Sequence, residues 1–460
     1  MKEAGRWFGA NAYPLAVAAA AFIVASGLPS GDSDTYWHLA TARWSVDHGT
    51  LLRNDVFSST VAGHPYGVGE WLGELVLYGA YVAGGWAGIA VLRGLLVAIA
   101  AFFITRIARS SGAPWIVTLP LVVAGLAIAS ITWTDRPQLW TFALFPLLLE
   151  LLLRVRAGRE RLLLAVPPLF LLWANLHGGY VVGLALVAIF AIEAALRRRG
   201  RLAAYLAGAL ILGAAVTLID PVPFDAGTTA REDAAAPPRF ITEFLPPDVL
   251  TPPGALFALF ILGAAAAAML RGGNLLDAGL LLPLLWLGLS AQRHMPFFVI
   301  AATPFIARWV ADVVGAWLPR RAPPASLGPI LAGILLIAAL VAIPFAPSRP
   351  DERAYPAGAA EALRGGSGVL LNEFDWGGWL IWNVPERPVF VDGRYVPYLG
   401  GVFDDFREAV RLGPGWQEVL RRYDVAEVLI RPDRPLAVAL REDGWHVRAS
   451  SDRFVLLARP

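Results

Sequence analysis

Two aspartates one residue apart, Asp32 and Asp34, stand in the run GDSDTYWHLATARW, directly after the first apolar stretch of the chain. Carboxylates at that spacing can hold a divalent cation, Mg or Mn, through their oxygens. Alternatively, one of them can act as general base on an acceptor hydroxyl. The other reading of the pair is capping, with either aspartate closing the start of an interfacial helix that carries Tyr36, Trp37 and Trp44. His38 follows in the same run, and the segment continues through Asp55 to Glu70 and Glu74. Those glutamates are four apart, so they share one face of the short helix they begin. Either one would be the acid that approaches Asp32 and Asp34, or both lie on the wet face of that helix. The stretch 53–74 is polar, glycine-rich and aromatic, and is too long for a mere connector.

A second set of residues is cationic. Arg136 lies in TDRPQL and the pair Arg293–His294 in RHMPFF, each between two apolar stretches. An arginine there calls for an anionic partner, either a lipid phosphate or diphosphate or a structural carboxylate such as Asp135 or Glu243. His177, in NLHGGY, is a candidate ligand or proton carrier; its other reading is a hydrogen-bonded residue at a helix end.

The elements that must position these groups follow from composition. Of the 460 residues 57% are hydrophobic and 16% charged, against about 45–50% and about 25% in soluble domains. Mean hydropathy is +0.57. So few charges cannot coat a water-facing surface, which excludes a soluble enzyme, a disordered chain and a fibrous one. With no cysteine, disulfides, thiolate catalysis and cysteine-bound metal clusters are excluded as well. The net charge is +2 and no nucleic-acid partner is expected. The chain reads as a polytopic α-helical membrane protein.

A spanning helix needs about 20 mostly apolar residues. That criterion places eleven spans, near 13–29, 86–106, 115–133, 137–153, 162–176, 180–196, 202–219, 252–270, 275–291, 295–316 and 327–346. The first is read as an uncleaved signal anchor. Trp71–Ala83 is apolar but short and carries Glu74, so it is read as an interfacial or re-entrant helix. Lys and Arg mark cytoplasmic loops. Lys2 and Arg6, Arg106 and Arg109, Arg154–Arg161, Arg197–Arg201, Arg271, and Arg320 and Arg321 fall at alternate loops. Eleven spans put the N-terminus in the cytoplasm and everything from about Pro347 outside. The expected division is a bundle over 1–347 with a long first outer loop at 30–85, then an extracytoplasmic domain over 348–460.

That tail differs in kind. Short β-rich runs (Gly368–Leu371, Pro388–Val391, Val425–Ile430) alternate with the helical patterns Phe403–Arg411 and Gly415–Tyr423. Trp445–Ala449 and Arg453–Ala458 read as a hairpin. A small α/β domain is expected.

An aspartate-bearing first outer loop, many spans and an outer C-terminal domain together resemble the GT-C membrane glycosyltransferases. The fragments DTYWHLATARW (34–44), DVFSSTVAGHPY (55–66), EWLGE (70–74), TDRPQL (134–139), ANLHGGYVVGL (174–184), ITEF (241–244) and RHMPFF (293–298) are similar to a bacterial mannosyltransferase- or arabinosyltransferase-like group. The tail segment VLLNEFDWGGWLIWNVPERPVFVDGR (369–394) is similar to the region of the WWDYG signature in the oligosaccharyltransferase catalytic subunit. That likeness implies acceptor binding at Asp375 and Trp376. The first Trp-Trp of the signature stands here as Glu373–Phe374 and its tyrosine as Trp376. The other reading of DWGG is a turn feeding an amphipathic helix.

The resemblance implies a sugar donor on a polyprenyl phosphate in the plasma membrane of a bacterium, and a glycan, lipid or protein acceptor on the outer face. Asp32, Asp34, Glu70 and Glu74 are the implied catalytic set. Arg136, Arg293 and His294 would hold the donor phosphate, and His38, His177, Glu243, Asp375 and Trp376 would bind the acceptor or support the site. The competing readings are a non-catalytic transporter or flippase for a lipid-linked glycan, and an inactive GT-C-like assembly scaffold.

Overall fold

The computed structural model describes residues 2–67, 69–221, 242–314 and 327–460. The last two residues of the expected span 295–316 and the basic pair Arg320–Arg321 lie outside the described residues. In chain order the longer helices are α1 (Lys2–Ser26), α2 (Ser33–His48), α3 (Trp71–Arg109), α4 (Trp115–Ala129), α5 (Gln138–Arg156), α6 (Val166–Leu176), α7 (Tyr180–Leu196), α8 (Gly200–Val216), α9 (Pro252–Arg271), α10 (Leu275–Ser290), α11 (Met295–Val314) and α12 (Leu327–Ala342). Among the described residues seven helices are long and apolar enough to cross a membrane, and α7, α8 and α10 are apolar but shorter. The protein is thus a polytopic helical membrane protein with seven to ten apolar helices. The expected span at 162–176 is an eleven-residue helix, α6, preceded by a six-residue 3-10 turn over Glu160–Ala165.

Local chemistry explains where these helices start. Thr251 accepts from the Gly254 N–H at the head of α9, with Pro252 and Pro253 following where no N–H is needed. Asn274 and Asp277 form a reciprocal capping box at the head of α10. The long run of α3 is broken where Gly84 has φ/ψ of −150°/16° and Gly85 of 60°/−145°. A positive φ is open to glycine without steric penalty. The break separates Trp71–Ala83 from the following apolar stretch, as the sequence pattern predicts.

The chain forms two compact units. The first holds the described residues of 2–28, 84–221, 242–314 and 327–348. In it α1 lies along α12, where Ala19, Phe22 and Ala339 are buried together. Outward-facing Ile211, Leu259, Leu262, Ile334, Ile337 and Leu340 remain exposed. An apolar girdle of that extent suits lipid and not water.

The second unit holds 29–83 together with 349–460, so the first outer loop folds with the tail. Its sheet runs β1-β2-β4-β3, with β1 Val369–Asn372 parallel to β2 Val425–Ile430. The strands β4 (Val455–Ala458) and β3 (His446–Ser450) are the expected hairpin, and β4 pairs antiparallel with β2. A parallel β1–β2 pair demands a crossover, and the helices Gly377–Asn383, Val402–Val410 and Trp416–Arg422 lie in that connection. Pro388–Val391 does not join this sheet. Val389 bridges Ser58 of the outer loop instead, with Val389 N–H donating to the Phe57 carbonyl at 3.0 Å and Ser59 N–H to the Val389 carbonyl at 2.9 Å. Its strand-like composition is used to hold the loop.

Candidate functional site

Within the second unit, α2 carries Asp34 and is capped by Asp32. Asp32 is its N-cap: the carboxylate accepts the Asp34 N–H at 3.0 Å. The capping reading therefore holds for Asp32. Asp34 is half-buried in the first turn, and its carboxylate lies against Gly393 so closely that a β-carbon at Gly393 would run into it. Gly378 is constrained in the same way by the Ser33 carbonyl. The glycines of DWGG and VDGR are thus the surfaces on which the start of α2 rests.

His38 lies one turn beyond Asp34 on α2. Its Nδ1 is 2.8 Å from Oε1 of Glu74, and both side chains are buried. The structure therefore brings Glu74 onto the helix that carries Asp34, through His38. Glu70 is half-buried one turn earlier, its carbonyl accepting the Glu74 N–H. Among the described residues no group of three or more His, Cys, Asp or Glu is placed to hold a metal ion. With one oxygen of Asp32 engaged by its own helix, the described carboxylates do not complete a cation cage.

The deepest charges in this unit are ones that the sequence reading passes over. Arg394 donates to Asp392 through Nε at 2.8 Å and Nη2 at 2.6 Å, and its Nη1 is 2.5 Å from Asp55. Tyr398 bonds both Arg394 and Asp392. Asp55 in turn accepts the Ser58 N–H at 3.0 Å and hydroxyl at 2.6 Å. Burial alone would pull the Arg394 guanidinium down, but Asp392 and Tyr398 beside it hold it well above its ordinary range. Burial pushes the Tyr398 phenol up, with Arg394 opposing and Asp392 adding to the rise. This closed network fixes DVFSS to VFVDGR. The sequence signal for it is an Asp-Gly-Arg in an apolar run and a second aspartate before Phe-Ser-Ser.

Asp375 is exposed and pairs with Arg431 at 3.1 Å. Trp376 is buried, and its indole N–H donates to the Ala354 carbonyl at 2.9 Å. Glu373, in the same motif, is buried between Arg431 and Arg434.

The cationic candidates form a separate cluster in the first unit. Arg136, just before α5, pairs with Glu243 at 3.4 Å, and Arg293 pairs with the same carboxylate at 3.8 Å. The Arg293 guanidinium also covers the ring of Phe244 at 3.8 Å. Both arginines thus converge on one glutamate. All three side chains keep partial exposure, 16% for Arg136, 28% for Arg293 and 30% for Glu243. His294 stacks on Phe297 beside them.

His177 lies between α6 and α7. Its Nδ1 accepts the Gly179 N–H at 2.9 Å and is 2.7 Å from the Thr141 hydroxyl, which itself receives the Trp173 indole N–H at 2.9 Å. An accepting Nδ1 puts the ring proton on Nε2. Burial, and then the charge of Arg293, lower this imidazole to about 3, so it is neutral at physiological pH. A β-carbon at Gly179 would run into Thr141 and His177, which accounts for the glycine after NLHG. The helix-end reading of His177 is realised.

Arg93 is the other charge the span reading overlooks. It sits inside the expected span 86–106, buried, and pairs with Asp135 at 2.9 Å. Its Nε donates to the Ala25 carbonyl at 2.9 Å, and its Nη2 donates to the Leu28 carbonyl. The terminal carbonyls of a helix lack intrahelical donors, and Arg93 supplies them at the end of α1. A charged residue in the middle of an apolar stretch was the signal.

No protein-family model and no curated protein matches the chain. Its fold, however, is similar to that of solved GT-C membrane glycosyltransferases over nearly its whole length. The Archaeoglobus fulgidus oligosaccharyltransferase, tethered to an acceptor peptide with an NVT sequon, aligns at a TM-score of 0.60 and 12% identity, over 93% of this chain and 70% of that one. ArnT from Cupriavidus metallidurans, bound to undecaprenyl phosphate, aligns at 0.52 and 15% identity, over 97% of both chains. The fold is GT-C-like, with a small C-terminal mixed sheet.

Proposed function

We propose that the protein is a glycosyltransferase that moves a sugar from a polyprenyl-phosphate donor to an acceptor on the outer face of the membrane. The observation that carries this reading is the pair Arg136 and Arg293 converging on Glu243 with partial exposure, in a GT-C-like bundle. Such a cluster suits a phosphate monoester or diester.

Asp34 is the proposed base. Its carboxylate takes the proton of the acceptor hydroxyl while the acceptor oxygen bonds to the sugar C1. The C1–O bond to the lipid phosphate breaks, and its electron pair leaves on the phosphate. Asp32 holds the helix start that presents Asp34, and the His38–Glu74 pair braces the next turn. Glu70, His294, Asp375 and Trp376 are assigned to shaping and acceptor contact. Neutral His177 fixes the turn beside Arg293. A divalent cation is not used in this scheme.

The outer-face assignment rests on charge. Arg106 and Arg109, Arg154–Arg161, Arg197–Arg201 and Arg271 all stand at helix ends that the positive-inside tendency sends to the cytoplasm. The 3-10 turn and α6 together rise about 28 Å, close to the thickness of a hydrocarbon core, which keeps the parity of eleven crossings.

The test compares cells that carry the wild-type protein, Asp34→Asn, or Arg136→Gln with Arg293→Gln. Lipid-linked sugars and surface glycans are profiled by mass spectrometry. A glycan that gains one sugar only with the wild type supports the reading. The same gain with Asp34→Asn would sink the catalytic assignment. Unaltered glycans with a redistributed lipid-linked pool would return the transporter reading.

A further inference from the structure

At the far end of α5 from Arg136, two arginine-rich turns lie side by side in the first unit. One is 154–161, and the other, 197–201, joins α7 to α8. Arg199 donates to the Arg156 carbonyl at 3.4 Å, and Arg201 pairs with Glu160 at 3.8 Å, so the two turns share a surface. Nineteen residues of α5 separate this patch from Arg136, a rise of about 28 Å. It is therefore a different site from the cluster assigned to the donor phosphate.

Its charges divide into two groups. Glu150 takes Arg106 and Arg154, and Glu193 takes Arg156 and Arg197, so these arginines are anchored to buried acids. Arg159, Arg161, Arg198 and Arg199 have no carboxylate within ion-pair distance among the described residues, and all four are exposed. Four exposed like charges are thus gathered on these two turns outside the ion pairs.

The backbone adds a second observation. Arg198 has φ of 59° in the turn that ends α7, where its N–H bonds the Ala195 carbonyl. That left-handed position usually falls to glycine. Here the glycine of RRRG stands two residues later, and an arginine occupies the strained place. Strain of this kind persists where the side chain is needed.

The surroundings identify the ligand class. Leu164, in the 3-10 turn that holds Arg161, and Ile192 and Leu196, in the last turns of α7 before Arg197, are exposed apolar residues. A ligand that satisfies both must join a negative headgroup to hydrocarbon. We infer that this patch binds the headgroup of an anionic phospholipid, with the phosphodiester held by Arg159, Arg161, Arg198 and Arg199 and the acyl chains against Leu164, Ile192 and Leu196.

Native mass spectrometry of the delipidated full-length protein in detergent tests this. The probes are phosphatidylglycerol, phosphatidylcholine and inorganic phosphate. The wild type should retain phosphatidylglycerol over phosphatidylcholine. The variant Arg159→Gln, Arg161→Gln, Arg198→Gln, Arg199→Gln should lose that adduct by about tenfold or more. Inorganic phosphate at equal concentration should not compete. Removing two exposed charges elsewhere, Arg421→Gln with Arg441→Gln, should leave the adduct unchanged. Undiminished binding by the fourfold variant overturns the proposal. So does an equal loss in the control variant, or displacement by inorganic phosphate. If the fourfold variant elutes as aggregate, Arg161→Gln and Arg198→Gln alone should each lower retention about threefold, and no change in either overturns it.

Discussion

Two charged clusters, one in each compact unit, are built from the same residue types to opposite ends. Around Arg394 every charge is answered: Asp392, Asp55 and Tyr398 surround the guanidinium, and no side-chain surface of Arg394, Asp392 or Asp55 reaches solvent. Around Glu243 two arginines share one carboxylate and all three side chains remain partly exposed. The closed cluster has nothing left to bind and serves the architecture. The open one, partly exposed, is the proposed phosphate site. Exposure, and not the presence of arginine, separates the closed network from the cluster proposed as a ligand site.

The largest effect expected is on turnover. Asp34→Asn keeps the shape of the side chain that rests on Gly393 while removing a base, so sugar transfer should fall by about 10²–10⁴-fold. The melting temperature should stay within a degree or two. A parallel loss of stability would move Asp34 into the architectural class with Arg394.

Breaking the closed cluster should cost stability first. Arg394→Met leaves Asp392 and Asp55 buried without their cation, a change worth about 3–5 kcal/mol. Thermal unfolding of the purified protein in nanodiscs would register it. A variant that melts like the wild type would show that the network is not structural.

Gly179→Ala tests the turn beside the open cluster. Its β-carbon displaces Thr141 or His177, at about 1–3 kcal/mol by the usual cost of overpacking. The same unfolding measurement applies, and a neutral result would mean that the turn can relax.

The open cluster should respond in affinity and hardly in stability. If the proposed reading holds, Arg136→Gln or Arg293→Gln should each weaken binding of a polyprenyl phosphate about tenfold, the scale of one charge-assisted bond to phosphate. Glu243→Gln should strengthen it a few-fold, because the carboxylate competes with the phosphate for both arginines. Tryptophan-fluorescence titration at two ionic strengths measures both directions. Weaker binding in Glu243→Gln would mean that the carboxylate positions the arginines and does not compete.

Much of the helical fold was legible because membrane burial demands long apolar runs, and every described α-helix of the first unit falls on a predicted stretch. The break before residue 86 was legible too, since Glu74 and two adjacent glycines cannot continue a span unaltered. The hairpin at the C-terminus followed from alternation around Ser450–Asp452. What escaped were long-range partners. Arg93 pairs with Asp135, 42 residues away, and Asp55 with Arg394, 339 residues away. No local pattern reports such a pairing. Pro388–Val391 was readable as extended chain, but that it pairs with Ser58 and not with the sheet was not.

The sequence alone therefore determined the solvent, since hydropathy is a sum over residues, and it narrowed the candidate chemistry to a few charges outside the apolar runs. The tertiary structure decided which of those charges are neutralised. It gave Asp32 to a helix cap and Glu74 to His38, and left Arg136 and Arg293 sharing one acid. The physical reason is that an ionisable group's role depends on burial and on the sign of its neighbours within a few ångströms. Only the folded chain brings those neighbours into place.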